Sequence, residues 1–300
     1  MIDRLVITGV GLIGGSFALA LKSRGLVKHV TGVGRSRANL ERALALGLID
    51  VIADDPAATS AAYSQAGFIF VATPVGQMAR VFADIAPHLK DGAVVTDGGS
   101  TKSDVAALAR AAFGPRLAQF VPAHPIAGAE LTGADAAKAN LYEGKKLVMA
   151  PLPETAPGAI LRVQQAWEAC GARVFTMSPE LHDKTFAAVS HLPHVLAFAL
   201  VDEIARKPHA DVLFQYAASG FRDFTRIAGS SPEMWRDISI ANRTSLLIEI
   251  DEYAARLQAV RTMIDTSDAA ALDAVFTNAR SARQAWLDAI EIPKLPARDA

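Results

Sequence analysis

A glycine-rich turn near the start of the chain constrains its fold more than any other feature. The sequence Gly9-Val10-Gly11-Leu12-Ile13-Gly14 directly follows a short apolar run and opens an amphipathic stretch. In a dinucleotide-binding turn, Gly9 permits the tight bend, Gly11 lets a pyrophosphate approach the backbone, and Gly14 lets helix and strand pack closely. Free N–H groups at the helix start, around Leu12 and Ile13, then face the negative pyrophosphate. This context favours a Rossmann-type cofactor site over an ordinary glycine-rich turn.

Short apolar runs alternate with longer amphipathic stretches in the first half of the chain. Strands are predicted at residues 5–7, 30–33, 68–72, 93–96, 120–121, 146–150 and 173–176, and helices at residues 13–24, 37–45 and 102–112. Buried strands separated by helices of this length indicate a parallel sheet with helices on both faces. The predicted class is therefore α/β, with an N-terminal doubly wound sheet of the Rossmann type.

The pattern changes after about Ser178. The strand-like runs stop, and the chain becomes alanine-rich with helical spacing to about residue 290. The run from 232 to 264 predicts one extended helix. We place the domain boundary after residue 175, which gives an NAD(P)-binding Rossmann domain over 1–175 and an all-α substrate and dimerisation domain over 176–300.

Composition argues against several kinds of partner. The 300 residues are 51% hydrophobic and carry a formal net charge of -1, so there is no basic surface for nucleic acid. We find no charged leader before an apolar stretch and no run of about 18 to 20 uninterrupted apolar residues, which predicts neither a signal peptide nor a membrane span. The single cysteine, Cys170, fits a reducing compartment. We expect a cytoplasmic protein that acts on a small molecule.

The end of the second predicted strand bears on the choice of dinucleotide. An acidic residue there holds the ribose hydroxyls of NAD in many Rossmann domains. This chain instead has Gly34, followed by Arg35, Ser36 and Arg37. No carboxylate in this stretch would repel a 2′-phosphate, and guanidinium groups bind phosphate strongly. The sequence favours NADP over NAD; the alternative is a solvated basic loop that accepts either cofactor.

Candidate site residues follow the predicted strands and recur in the helical part. Thr73, Pro74 and Ser100 come after apolar strands, whose carboxyl ends converge on the ligand crevice of a doubly wound sheet. His124 precedes a proline at another strand end, where a histidine can act as a general base, although a structural role is the alternative. Further candidates in the helical part are His182, Asp183, His191, His194, Arg226 and Trp235. Because no HExxH spacing or compact cysteine set occurs, we expect no metal.

Several stretches occur together in one order: GVGLIGGS, VATPV, DGGSTK, HPIAGAE, SHLPH, GFRDFTRIA and MWRDI. In this they resemble the prephenate/arogenate (cyclohexadienyl) dehydrogenase family of tyrosine biosynthesis, over nearly the whole chain. The resemblance implies a nucleotide-binding domain followed by a helical dimerisation domain, and a homodimer. It also implies NAD(P)-dependent oxidative decarboxylation of prephenate or arogenate, or both, to 4-hydroxyphenylpyruvate or tyrosine. In that reaction a hydride leaves for the nicotinamide and the ring becomes aromatic.

The same resemblance implies roles for individual residues. His124 is the acceptor of the hydroxyl proton, and Ser100 orients His124 while touching substrate and nicotinamide. Arg226 supplies a cation for a substrate carboxylate. The other residues implied at the substrate are His194, Trp235, His191 and Glu130, the last two also as parts of a polar network. His182 and Asp183 are implied as supporting members of that network.

Two other classes of protein remain open. Another two-domain hydroxyacid dehydrogenase would be expected to use a lysine base in the helical part, where the chain has His191, His194 and only Lys184 nearby. A catalytically silent dinucleotide sensor would keep the glycine turn without needing the catalytic residues together. Turnover by the purified protein distinguishes the sensor from either enzyme.

Overall fold

The computed structural model describes residues 1–128 and 132–291. Its contacts divide the chain into two compact units, Met1–Leu246 and a second unit that begins at Leu247. The first unit contains both sheets and every candidate site residue that the structure describes. The second unit consists of long helices.

The main sheet has six parallel strands in the order β3-β2-β1-β4-β5-β6. They are β1 (Ile2–Thr8), β2 (Val27–Val33), β3 (Val51–Ala53), β4 (Phe68–Val71), β5 (Val94–Asp97) and β6 (Phe120–Val121). The chain moves outward in one direction from β1 to β3 and then in the other direction from β4. Ligands bind at such a reversal, outside the carboxyl ends of the strands. The predicted Rossmann-type sheet is confirmed.

Helices cover both faces of this sheet. They are α1 (Leu12–Lys22), α2 (Arg37–Ala45), α3 (Pro56–Gln65), α4 (Met78–Ile85), α5 (Ser103–Phe113) and α6 (Pro157–Ala169). On one face Phe70 of β4 packs between Phe17 and Trp167, with ring centroids 4.7 and 5.3 Å away. On the other face Phe82 and Phe120 pack together. These apolar layers hold the strand ends, and hence the loops that follow them, in fixed positions.

A second sheet of three strands follows the first. It consists of β7 (Ala123–Ile126), β8 (Lys146–Met149) and β9 (Arg173–Thr176). The strands predicted at 146–150 and 173–176 exist, but their assignment to the single parallel sheet was wrong. The Ala123 N–H donates to the Asp97 carboxylate rather than extending β6, and β7 then pairs antiparallel with β8. Strand β9 joins β8 in parallel.

From Pro179 onward the described chain is helical. The helices are α7 (Pro179–Phe186), α8 (Leu192–Ala205), α9 (Ala210–Gln215), α10 (Ser219–Thr225), α11 (Pro232–Ala241), α12 (Arg243–Asp265) and α13 (Ala269–Glu291). The single helix predicted over 232–264 was wrong, because it is interrupted at Asn242. That residue has φ −101° and ψ 27°, and its side chain turns inward to bond Asp183 and His191.

A π-helical turn, Ala187–His191, joins α7 to α8. The Leu192 N–H reaches back to the Ala187 carbonyl, one residue further than in an α-helix. The next residue, Pro193, has no N–H to donate, and its ring would clash with the carbonyl four residues earlier in a regular helix. The extra residue turns the following helix by about 100°. The π turn thus sets the directions of His191 and His194 relative to His182.

One described helical segment, Pro179–Ala205, is long and apolar enough to cross a membrane by length and composition alone, with a mean hydropathy of 1.3. The segment is not an uninterrupted apolar run, because it contains His182, His191 and His194. Its buried side chains include His182, Asp183 and His191. Because these groups belong to the polar network described below, the segment is accounted for as part of the site.

Candidate active site

The three glycines of the first turn have different surroundings. Gly9 has a φ of +97°, and a Cβ placed on it would lie 2.6 Å from the Ala72 carbonyl oxygen. A Cβ on Gly14 would collide with the Gly9 carbonyl oxygen. A Cβ on Gly11, by contrast, would find its nearest neighbour 4.0 Å away, at the Gly133 nitrogen. Gly11 therefore borders open space at the start of α1, where a pyrophosphate has to approach, and the turn fits a dinucleotide.

Two further loops meet the glycine turn at the carboxyl edge of the sheet. Thr73 follows β4, and its buried hydroxyl has no hydrogen-bond partner among the described residues. Pro74 leads into a short 3-10 turn. After β5, a Cβ on Gly98 would lie 3.3 Å from the side chain of Ile13 in the glycine turn. The candidate residues after β1, β4 and β5 thus border one crevice.

The loop after β2 differs from the sequence-based expectation. Ser36 caps α2, because its hydroxyl accepts the N–H of Asn39. The Arg37 guanidinium donates to Glu41 at 2.8 Å and to Asp54 at 2.7 Å. The stretch itself holds no carboxylate, but Asp54 follows β3, and β2–β3 pairing brings it alongside. Arg35 is exposed.

A buried ion pair, which the sequence analysis did not single out, lies beneath the crevice. Lys102 Nζ donates to Asp97 Oδ2 at 2.5 Å, and both side chains are fully buried. The Asp97 carboxylate also accepts the N–H groups of Gly99 and Ala123. Burying two charges is tolerated only when they are paired and hydrogen-bonded in this way. The pair ties the loop after β5 to the start of β7, which carries His124.

Three side chains form a hydrogen-bonded chain that ends at His124. Its Nδ1 lies 2.9 Å from His182 Nε2, and His182 Nδ1 lies 2.8 Å from Asp183 Oδ1. The two Asp183 oxygens accept the N–H groups of Lys102 and Ser103, both at 2.8 Å, at the start of α5. Burial alone would raise the pKa of Asp183, but hydrogen bonds from His182 and Ser103 and the Lys102 N–H lower it. Asp183 is therefore a carboxylate.

The carboxylate decides which nitrogens carry protons. An ionised carboxylate only accepts, so His182 donates from Nδ1 and keeps a lone pair on Nε2. His124 must then donate from Nδ1 to that lone pair, which leaves His124 Nε2 as a free acceptor. Burial lowers the pKa of His124 well below its ordinary value, and the neighbouring groups His182, Lys102 and His191 lower it further. His124 is thus a neutral base with its lone pair on Nε2.

Ser100 contributes its backbone to a neighbouring part of the network. The orientation of His124, which the family resemblance assigns to Ser100, is made by His182 in the structure. His191 bonds the Ser100 backbone, and its Nδ1 accepts the Asn242 amide at 3.1 Å. Burial is the main cause that lowers the pKa of His191, to about 4. His191 is therefore neutral and holds the Ser100 loop in place.

His194, Trp235 and Arg226 form the other side of the candidate site. The His194 ring stacks on the Trp235 indole, and its Nδ1 donates to the Ser190 carbonyl at 2.8 Å. Trp235 Nε1 is buried with no hydrogen-bond partner among the described residues. Burial lowers the pKa of His194, and the charge of Arg226 lowers it further. The His191 and Trp235 rings, with centroids 6.1 Å apart, link this side to the histidine network.

The structure brings together the described histidines that the sequence singled out, whereas Glu130 lies outside the described residues. Asp97 and Lys102 belong to a stretch that the sequence marked as a candidate, but their pairing was missed, and so was Asn242. The first two occur in the polar run after β5, and their opposite charges were an available signal. Asn242 gave no such signal, because its partners are distant in the sequence.

The Rossmann sheet, the open face of Gly11 and the neutral base at the same crevice define an oxidoreductase that uses a nicotinamide dinucleotide. More closely, the chain belongs to the prephenate dehydrogenase family. The model of the family's nucleotide-binding domain matches residues 17–176, and the model of its dimerization domain matches residues 178–278.

Individual relatives agree with this assignment. The prephenate dehydrogenase of Bacillus subtilis is 35% identical over 94% of this chain and 76% of its own length. The cyclohexadienyl dehydrogenase of Zymomonas mobilis is also 35% identical, over 94% of this chain and 95% of its own length. Among solved structures, the prephenate dehydrogenase from Aquifex aeolicus in complex with hydroxyphenyl propionate and NAD+ has a TM-score of 0.85 and 34% identity, covering 98% of this chain and 99% of that chain.

Proposed function

We propose that this chain catalyses the oxidative decarboxylation of prephenate, of arogenate or of both, to 4-hydroxyphenylpyruvate or tyrosine, in tyrosine biosynthesis. The observation that carries the proposal is the chain from Asp183 through His182 to His124, which leaves a neutral base at the crevice beside the glycine turn. The names of the relatives, which act on prephenate and cyclohexadienyl substrates, support it.

The geometry of the base suits this chemistry. The bound dinucleotide supplies a hydride acceptor. As the hydride leaves the ring carbon that carries the hydroxyl, His124 Nε2 accepts the hydroxyl proton. The carbon–carbon bond to the ring carboxylate breaks, its electron pair enters the ring, and CO2 departs. The ring oxygen then takes the proton back as the phenol forms, so the reaction releases no net proton.

The remaining side chains bind and orient the substrate. Arg226 provides the cation for a substrate carboxylate, and the buried Trp235 Nε1 is a donor with no hydrogen-bond partner among the described residues. His194 uses Nδ1 to bond the Ser190 carbonyl, so its Nε2 is left to make a polar contact with the substrate. Ser100 lies between the base network and the cofactor loops, and acts in catalysis by touching substrate and nicotinamide. His191 and Glu130 complete the polar lining of the substrate site.

We also propose that the enzyme prefers NADP, and that Arg35 rather than Arg37 is the main phosphate ligand. Arg37 is held by two carboxylates, whereas Arg35 is exposed beside the loop after β2. The backbone and side chains of Gly9, Gly11, Leu12, Ile13, Gly14, Ser36, Thr73 and Pro74 line the rest of the dinucleotide site. NAD remains the alternative cofactor.

The proposed organisation is a cytoplasmic homodimer, with a nucleotide-binding domain over 1–175 and a helical substrate and dimerisation domain over 176–300. Large apolar side chains stay exposed along the long C-terminal helices: Leu247, Ile248, Leu257, Ile264, Phe276 and Trp286. Surfaces of this kind mark protein–protein contacts. The description of the matched C-terminal family model as a dimerization domain supports a twofold pair of copies.

Initial rates with prephenate and with arogenate, each combined with NAD and with NADP, test the proposed function. We expect turnover with at least one pair, and the best pair identifies both specificities. Absence of turnover in all four, with a dinucleotide still bound, would overturn the proposal in favour of another hydroxyacid dehydrogenase or a dinucleotide sensor.

A further inference from the structure

The hydrogen-bonded chain behind the base has a direction. His124 Nδ1–H points to His182 Nε2 over 2.9 Å, and His182 Nδ1–H points to Asp183 over 2.8 Å. Both distances are those of ordinary hydrogen bonds. A proton can therefore move from His124 Nδ1 to His182 Nε2 without any movement of heavy atoms.

The charges around the two histidines are not equivalent. His124 faces His182, Lys102 and His191, all of which disfavour a positive charge on it. Burial lowers the pKa of His182 as well, and Lys102 adds to this, but the hydrogen bond to Asp183 and the charges of Asp183 and Asp97 act in the opposite sense. A buried cation is stabilised mainly by a counter-charge in direct contact. Among the described residues, His182 has a carboxylate within hydrogen-bond distance and His124 does not.

From this asymmetry, and resting on the proposed function, we propose that His182 carries the additional proton during turnover. His124 gives its Nδ1 proton to His182 when it takes up the substrate's proton, and therefore stays neutral. As the substrate O–H bond breaks, a new N–H bond forms at His124 Nε2. The His124 Nδ1–H bond breaks at the same time, and its proton forms a bond to His182 Nε2. The imidazolium then lies on His182 beside Asp183. When the ring becomes aromatic, the same steps run in reverse and the phenol oxygen recovers a proton.

Asp183, at the far end of this series of hydrogen bonds, is itself held by further hydrogen bonds. Both Asp183 oxygens are engaged by the N–H groups that begin α5, and His182 is completely buried. Among the described residues the His182 ring is hydrogen-bonded to His124 and Asp183, so a proton on His182 returns through His124. This matches a reaction that gives up no net proton. In this arrangement His182 and Asp183 are positioning residues that act through His124.

The replacement His182→Gln separates this role from mere orientation. A glutamine carbonyl can still accept the His124 Nδ1–H bond, but it cannot take up the proton. We expect kcat to fall by about 10²-fold or more with KM nearly unchanged. Exposed His209 provides the matched control, and His209→Gln should leave both constants as they are.

Two measurements complete the test. In ¹⁵N NMR spectra of the cofactor-free enzyme, His124 should carry its proton on Nδ1, both in the parent protein and in His182→Gln. Single-turnover hydride transfer in mixtures of H2O and D2O should give a curved dependence on deuterium fraction in the parent protein, because two protons move, and a linear one in His182→Gln.

A His124 proton on Nε2, a linear dependence in the parent protein, or a His182→Gln kcat within about threefold of the parent would each overturn the relay. The NMR result does not depend on any substrate. If the enzyme turns over neither ring substrate, the proposed function fails and the relay with it, while a wrong tautomer in an active enzyme removes the relay alone.

Discussion

The imidazole of His194 lies face to face on the indole of Trp235, with ring centroids 3.5 Å apart and planes 19° apart. Stacking and the bond from His194 Nδ1 to Ser190 together fix the ring, so that only Nε2 is left for another contact. Burial and the nearby Arg226 charge lower the pKa of His194. Charge recognition on this side of the site therefore falls to the arginine.

Replacing Arg226 with alanine should raise KM for the anionic substrate about 10- to 100-fold and change kcat little, since a charge-assisted hydrogen bond contributes about 1.5–3 kcal/mol. Steady-state kinetics with the preferred substrate measure this. Arg222→Ala is the matched control, because Arg222 is exposed and paired with Asp223. An unaltered KM in Arg226→Ala would place that arginine outside the pocket.

Replacing His124 with asparagine should lower kcat by about 10²- to 10⁴-fold with KM near normal, because the proton acceptor is lost while the substrate contacts remain. The measurement is steady-state kinetics, with dinucleotide binding as a check on folding. A kcat equal to that of the parent enzyme would remove His124 from the mechanism.

Two alanine replacements in the glycine turn should have opposite effects. Gly11→Ala should leave the melting temperature unchanged, because its Cβ points into open space, yet weaken dinucleotide binding about tenfold or more. Gly14→Ala should instead lower the free energy of unfolding by about 1–3 kcal/mol, because its Cβ collides with the Gly9 carbonyl. Thermal unfolding and binding titrations distinguish them. Equal loss of stability in both variants would contradict the separate roles.

Removing the charges after β2 should distinguish their roles. Arg35→Ala should weaken NADP binding about tenfold and leave NAD binding unchanged, since only NADP carries the 2′-phosphate. Arg37→Ala should affect NADP less, because Arg37 is already paired with Asp54 and Glu41. In the variant that carries both replacements, the affinity for NADP should fall more than the affinity for NAD. Titration with both cofactors decides this, and equal losses for both would refute a phosphate site here.

The stability of the fold should fall in mild acid. His191 has a pKa of about 4 in the folded chain, whereas an unfolded histidine titrates near 6.5. Between these values the unfolded state binds more protons, so the free energy of unfolding decreases as the pH falls through this window. The contribution of His191 is about 3 kcal/mol.

Urea unfolding at pH 7 and pH 4.5 measures this slope. His191→Gln keeps an acceptor for the Asn242 amide but does not titrate, so its free energy of unfolding should fall less steeply. The charges that act on His191 are those of Asp183, His182 and His194. A slope identical to that of the parent protein would show that the pKa of His191 is the same in the folded and unfolded states, which contradicts this prediction.

Features that depend on residues adjacent in the sequence could be predicted from the sequence. The glycine turn, the alternation of strands and helices, and the helical second half depend on local patterns, and the sheet followed from them. The second sheet was missed because the departure of β7 depends on the Asp97 carboxylate, which captures the Ala123 N–H. The break at Asn242 likewise depends on partners far away in the chain.

The candidate site was predictable as a set of residues but not as a network. His124 and His182 are each recognisable, yet nothing in their surroundings indicates that their rings are bonded. The pairing of Arg37 with Asp54 was hidden in the same way, because it depends on strand order. Residue type therefore indicated the chemistry, while the proton positions followed only from the three-dimensional contacts.

The π turn between His182 and His194 has a consequence for how such chains can diverge. Because that turn holds one residue more than a regular helix, a deletion there would restore the α-helix and swing His191 and His194 away from their partners. An insertion would turn them in the other direction. The number of residues between these histidines is therefore constrained, and descendants of this chain have to keep the residue count of this segment to keep the site.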